Sequence, residues 1–134
     1  MKNPKFSDVT VNASAAAKAV LLADGYLRIY TAPQPISADA VLAGQTLLSE
    51  HRFATTAFGA PVAGVITAVP LTVEDSAQAT GDAAWFRALK SDGSTVVFDG
   101  SVAVADADAL IDNVRIVSGI QVTITSLILT ENKG

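Results

Sequence analysis

The sequence predicts an all-β domain, an antiparallel β-sandwich or jelly roll of seven to eight strands, with one short N-terminal helix. Three observations carry that expectation. Beyond Gly25, short apolar runs alternate with Gly, Pro, Asp and Ser turns at the eight-to-twelve-residue spacing of all-β domains. There is no strand–helix–strand alternation, so nothing supplies the crossovers that parallel strands need. The length of 134 residues suits one domain. Of its 67 nominally hydrophobic residues 24 are Ala, and the remaining 43 fill one core but not two.

Taken in order, residues 1–11 read as an arm, with Lys2, Pro4, Lys5, Phe6 and Val9 in no clear period. A helix is expected over 12–24. Asn12-Ala13-Ser14 offers caps, an Ala-rich run reaches Leu22, and Asp24-Gly25 closes it. The β domain occupies 25–134. Its first strand, Tyr26 to Tyr30, alternates with Leu27 and Ile29 on one face, and Pro33 and Pro35 end it. Strands follow over Gln45 to Phe53, Gly64 to Val69 (stopped by Pro70) and Ala83 to Lys90. Ser91-Asp92-Gly93-Ser94 makes a hairpin turn into Thr95 to Phe98, and Asp99-Gly100 turns again into Ser101 to Ala105. Asn113 to Val117 and Ile120 to Leu129 complete the set. In the last of these Ile120, Val122 and Ile124 share one face and Gln121, Thr123 and Thr125 the other.

Charge removes several functions. Nine basic residues against 13 acidic give a net charge of −4, with Lys and Arg scattered singly, so no nucleic-acid footprint exists. Zero cysteines exclude disulfides, thiolate metal sites and a Cys nucleophile. The longest uncharged run, Phe53 to Val73, could span a bilayer by length, but Gly59, Pro61, Gly64 and Pro70 make it strands and turns. No membrane association is expected, and no secretory signal, because no apolar run follows Met1 to Lys5.

Few residues suggest chemistry. His51 is the sole histidine and lacks a nucleophile context such as G-x-S-x-G, so it reads as structural. Asp99, Asp106, Asp108 and Asp112 form the densest acidic stretch. They read as solvated turn carboxylates, with calcium the alternative, although the EF-hand glycine and terminal glutamate are missing. Arg28, Arg52 and Arg87 sit inside strands and read as snorkelling or paired with Glu50 and the Asp-rich turns. Trp85-Phe86-Arg87 is the most aromatic point of a chain with 6% aromatics. Neighbouring strand residues face opposite sides, so one ring enters the core and the other lies at an interface. No catalytic site, metal or cofactor is expected.

Several strings resemble a family of small virion structural proteins of tailed bacteriophages. They are Leu27-Arg28-Ile29-Tyr30, Gln34-Pro35, Leu47-Leu48-Ser49-Glu50, Phe58-Gly59, Gly64-Val65-Ile66-Thr67-Ala68 and Ala79-Thr80-Gly81. Trp85-Phe86-Arg87, Ser91-Asp92-Gly93, Asp99-Gly100-Ser101-Val102 and Val122-Thr123-Ile124 extend the likeness, which covers residues 20–126. The resemblance implies a non-enzymatic capsid decoration, or cement, protein with a jelly-roll-like fold. Such a protein clamps the major capsid protein from outside the head, pairs with itself as a dimer or trimer, and is assembled in the host bacterial cytoplasm. A tail or neck component is the alternative within that class, and a small carbohydrate-binding sandwich using Tyr30 or Trp85 the alternative outside it. The candidate interface residues are Lys2, Lys5, Phe6, Trp85, Phe86 and Arg87.

Overall fold

Ser7 starts the helix. Its hydroxyl accepts the Thr10 N–H at 3.3 Å, and α1 (Asp8–Leu21) follows, with Asp8 in the first turn and Lys18 in the last, both complementing the helix dipole. The helix therefore begins four residues before the expected 12–24 and takes up the end of the expected 1–11 arm. Asn12 is not its cap, because the Asn12 Oδ1 accepts the Gly64 N–H at 2.7 Å from across the fold. Val11, Ala15 and, just past the helix, Leu22 are buried, spaced to face one side. At Gly25 a Cβ would lie 2.3 Å from the Leu89 carbonyl oxygen, so only glycine lets the chain pass from helix to sheet here.

The computed structural model describes all 134 residues. Nine strands follow α1: β1 (Tyr26–Tyr30), β2 (Leu47–Arg52), β3 (Val65–Thr67), β4 (Gly81–Asp82), β5 (Trp85–Leu89), β6 (Val96–Ala103), β7 (Ala109–Ile111), β8 (Arg115–Ile116) and β9 (Ile124–Thr130). Seven form one sheet in the order β2-β1-β5-β6-β7-β9-β3, curled into a half-barrel, while β4 and β8 make a separate ribbon. The chain is thus mostly sheet with one short helix, but the sheet is mixed rather than purely antiparallel. β6 and β7 run parallel, pairing Val102 with Ala109 and Ala103 with Leu110. Only two pairs are made, so the chain travels back a short way and needs no helical crossover. Asp106, in the left-handed region at φ 55°, makes the reversal, and the Asp108 carboxylate accepts the Ser101 N–H at 2.9 Å to hold it.

Asp99-Gly100 is not the expected turn. Both lie within β6, and the edge of the Phe86 ring fills the space beside Gly100, where a Cβ would come within 2.5 Å of it. Glycine here marks a close approach inside a strand. The alternation expected for the last strand also changes phase. Val122 is buried and Ile120 exposed; after a bulge opposite Leu110/Ile111 it is Leu127 that is buried while Ile128 is exposed.

Neither end of the curled sheet is left bare. Beside β3, Gly59 donates its N–H to the Thr67 carbonyl at 2.9 Å, and Phe58 bridges Ala68. Beside β2 lies the strap 71–78. The Thr72 N–H reaches the Arg52 carbonyl at 3.0 Å and the Gln78 N–H reaches Leu48 at 2.8 Å. From its other side the strap pairs Glu74 with Val122 and donates the Ala77 N–H to Ile120 at 2.9 Å. The strap thereby joins β2 to the run leading into β9. Inside lies one core of 20 buried residues, among them Leu22, Leu27, Ile29, Leu48, Ile66, Phe86 and Leu127.

Candidate functional site

β5 lies between β1 and β6, and all five of its residues are buried. Phe86 points into the core and meets Phe98 edge-on, with ring centroids 5.3 Å apart. Trp85 and Arg87 point to the opposite face, as the strand period requires. There Trp85 stacks on Tyr30 at 4.9 Å and its indole N–H donates to the Thr31 carbonyl at 2.8 Å. The Arg87 guanidinium grips the Asp99 carboxylate through two bonds, Nε to Oδ1 at 2.8 Å and Nη2 to Oδ2 at 2.9 Å, and donates Nη1 to the Ala40 carbonyl at 2.9 Å. The hydrogen bond to Asp99 raises the Arg87 pKa despite the opposing effect of burial.

The two rings thus take opposite sides, but neither reaches solvent. The segment between β1 and β2, residues 31–46, folds back over this face and is pinned by Arg87. Its ends are tied where Thr46 donates its N–H to the Thr31 hydroxyl at 2.9 Å and accepts the Thr31 N–H at 3.1 Å. Trp85, Phe86 and Arg87 therefore expose no interface in this structure, which corrects the expectation that one ring would. Tyr30 is buried as well, and burial raises the pKa of its hydroxyl. A sugar has neither ring to stack on.

Beyond that segment the same face is half-open. Arg28 pairs with Glu50 at 2.7 Å, and Tyr26 lies between two guanidinium groups, Arg28 at 5.5 Å and Arg52 at 4.4 Å from its ring centroid. Arg52 has no carboxylate partner and donates Nη2 to the Asp24 carbonyl at 2.7 Å. In the acidic stretch Asp99 is spent on Arg87 and Asp108 on Ser101, and no three of His, Asp or Glu converge to hold an ion.

His51 is fully buried on β2. Its Nδ1 lies 2.8 Å from the Thr72 carbonyl, which can only accept, so Nδ1 carries the proton. Nε2 then accepts from the Ser49 hydroxyl at 3.0 Å. With Ser49 also fully buried, this Ser–His pair has no access to a substrate and ties β2 to the strap.

The N-terminal residues fare differently from the rings. Lys2 is exposed, the Lys5 Nζ donates to the Gly134 carbonyl at 3.0 Å, and Phe6, 45 % exposed, donates its N–H to the Lys133 carbonyl at 2.8 Å. Ion pairs Asp8–Lys133 and Lys18–Glu131 hold α1 to the same C-terminal residues. The outward side of α1 carries Val9, Ala13, Ala16, Ala17 and Val20, all exposed and all uncharged. Val9 is 80 % and Val20 76 % exposed. Between α1 and residues 55–61 runs an open groove of about 450 Å³, lined by Ala16, Ala19, Val20 and Ala23 on one side and Phe58 and Pro61 on the other. The 31–46 segment adds Ile36 and Val41, both nearly free of contacts. The sequence already pointed to the N-terminal arm and the Ala-rich helix as a contact region, but not to Val20, Ile36, Val41 or the groove, because a helix with few large residues gives no amphipathic signal that would single out a face.

Compared with protein-family models, curated proteins and solved structures, the chain matches none.

Proposed function

We propose that this chain is a non-enzymatic structural component of a bacteriophage virion, a decoration protein that binds the outer surface of the major capsid protein lattice and associates with further copies of itself. One observation supports the reading above the others: its exposed apolar surface, on α1, along the adjoining groove and on the 31–46 segment, is almost free of charge. Interface centres are depleted in charged residues. The polar side chains with buried atoms are by contrast all satisfied within the chain. A repeated lattice also lets a weak single contact become durable by multivalency.

Purified chain mixed with undecorated capsids is expected to co-sediment at a fixed ratio and to raise the temperature at which the heads open. Absence of co-sedimentation, with binding to isolated tails or necks instead, would move the protein to that part of the virion. Binding to a glycan array and to neither particle overturns the reading.

A further inference from the structure

We propose that the strap 71–78 is an acid-sensitive clasp of the curled sheet, with His51 as the group that senses pH. The strap is the piece that joins β2 to the run before β9. His51 sits where it crosses β2, completely buried, bonded to the strap backbone at Thr72 and to Ser49 beside it. The remaining side-chain ties of the strap to β2 are polar too. The Thr72 hydroxyl accepts the Arg52 N–H at 2.8 Å, and the Glu74 carboxylate accepts the Glu50 N–H at 3.1 Å. Only Leu71 and Ala77 anchor the strap in the core. A segment with two apolar anchors and many polar ties opens more readily than the central strands.

Protonating His51 places a charge at this buried crossing. Glu74 on the strap, Glu50 next to His51 on β2 with its side chain turned to Arg28 on the other face, and Asp112 after β7 supply negative charge, and Leu27, opposite on β1, carries none. Burial disfavours the charged ring and outweighs both the hydrogen bond to the Thr72 carbonyl and the attraction of these carboxylates, so the pKa is lowered from 6.5 in the folded chain. The open state therefore binds the proton more readily than the closed one. Stability of the closed strap is complete above 6.5 and is lost as pH falls through the lowered value.

Amide hydrogen exchange on the full chain tests this. Corrected for intrinsic rates, protection of the Glu74 and Ala77 amides is expected to fall at least about threefold between about pH 7.5 and about pH 5.5, the range in which imidazoles titrate. Protection at Phe86 and Ala88 in β5 stays level over the same range. His51→Gln removes the dependence, whereas Glu74→Gln, which keeps an acceptor for the Glu50 N–H, retains it. A level strap, an equal fall in β5, or an unchanged fall in His51→Gln overturns the proposal. If His51→Gln does not fold, the ring resonances of the natural chain decide alone. Titration below 6.5 in step with loss of strap protection supports the clasp, and titration at or above 6.5 with the strap still protected defeats it.

Discussion

Arg87 and Asp99 form the most consequential pair of residues in the sheet. Both side chains are almost wholly buried, and their bonds join β5, β6 and the covering segment at Ala40. A buried ion pair need not be a large net stabiliser, but losing one member strands the other's charge. Arg87→Met is therefore expected to cost about 3–5 kcal/mol in chemical denaturation. The double change Arg87→Met with Asp99→Leu is expected to recover most of that loss. Recovery of none of it would mean that the bond to Ala40, not the charge pair, carries the stability. Gly100 offers a second measurement on β6. Its missing Cβ is what admits Phe86, so Gly100→Ala is expected to destabilise by about 1–3 kcal/mol through overpacking. The opposite orientation of Trp85 and Phe86 was readable from the strand period alone. Their shared burial was not, because it depends on residues 31–46 lying over the second face, and no local pattern announces such a cover.

At the scale of elements, the outcome turned on side chains reaching distant backbone. The Asn12-Ala13-Ser14 caps were plausible, yet the Asn12 amide is committed to Gly64 and Ser7 takes the capping role. Seven strands were legible as short apolar runs between turn residues: β1, β2, β3, β5, β8, β9 and β6, the last split in two by the turn expected at Asp99-Gly100. The two-residue β4 and the parallel β7 were not, since β4 is Gly-Asp and β7 lies in the acidic stretch where turn residues dominate. Ser7→Ala is expected to lower stability by about 1 kcal/mol and fray the first turn of α1, while Ser7→Thr keeps most of the cap. Thermal melts with far-ultraviolet circular dichroism read both effects. The cap also sets where a truncation can fall. Deleting residues 1–11 removes Ser7 and the buried Val11 and is expected to lower Tm, whereas deleting 1–6 removes only Phe6 and Lys5 contacts to the C-terminal residues and leaves Tm nearly level. An unchanged Tm for the longer deletion would show that the first turns of α1 contribute little to the fold.

The whole molecule separates what holds it together from what it offers outward. Its buried face of α1 is small, Val11, Ala15 and Leu22, and its outward face is no less apolar. An exposed apolar patch of this kind marks an interaction surface more often than bare solvent. Val9 and Val20 lie one above the other on that outward stripe and make no part of the core. A charge placed there meets water in the free chain and a dry surface in an assembly. Val9→Glu and Val20→Glu are therefore expected to change stability by no more than about 0.5 kcal/mol, as exposed substitutions do. On capsids the same changes are expected to lower occupancy sharply, because burying an unpaired carboxylate in an interface is costly. The 1–6 deletion divides the surface further. If it decorates fully while Val20→Glu does not, the contact belongs to the helix and its groove, with Lys2, Lys5 and Phe6 incidental. Full decoration by both Glu variants and the deletion would shift the contact to Ile36 and Val41 on the 31–46 segment, where Ile36→Glu is the variant expected to abolish it.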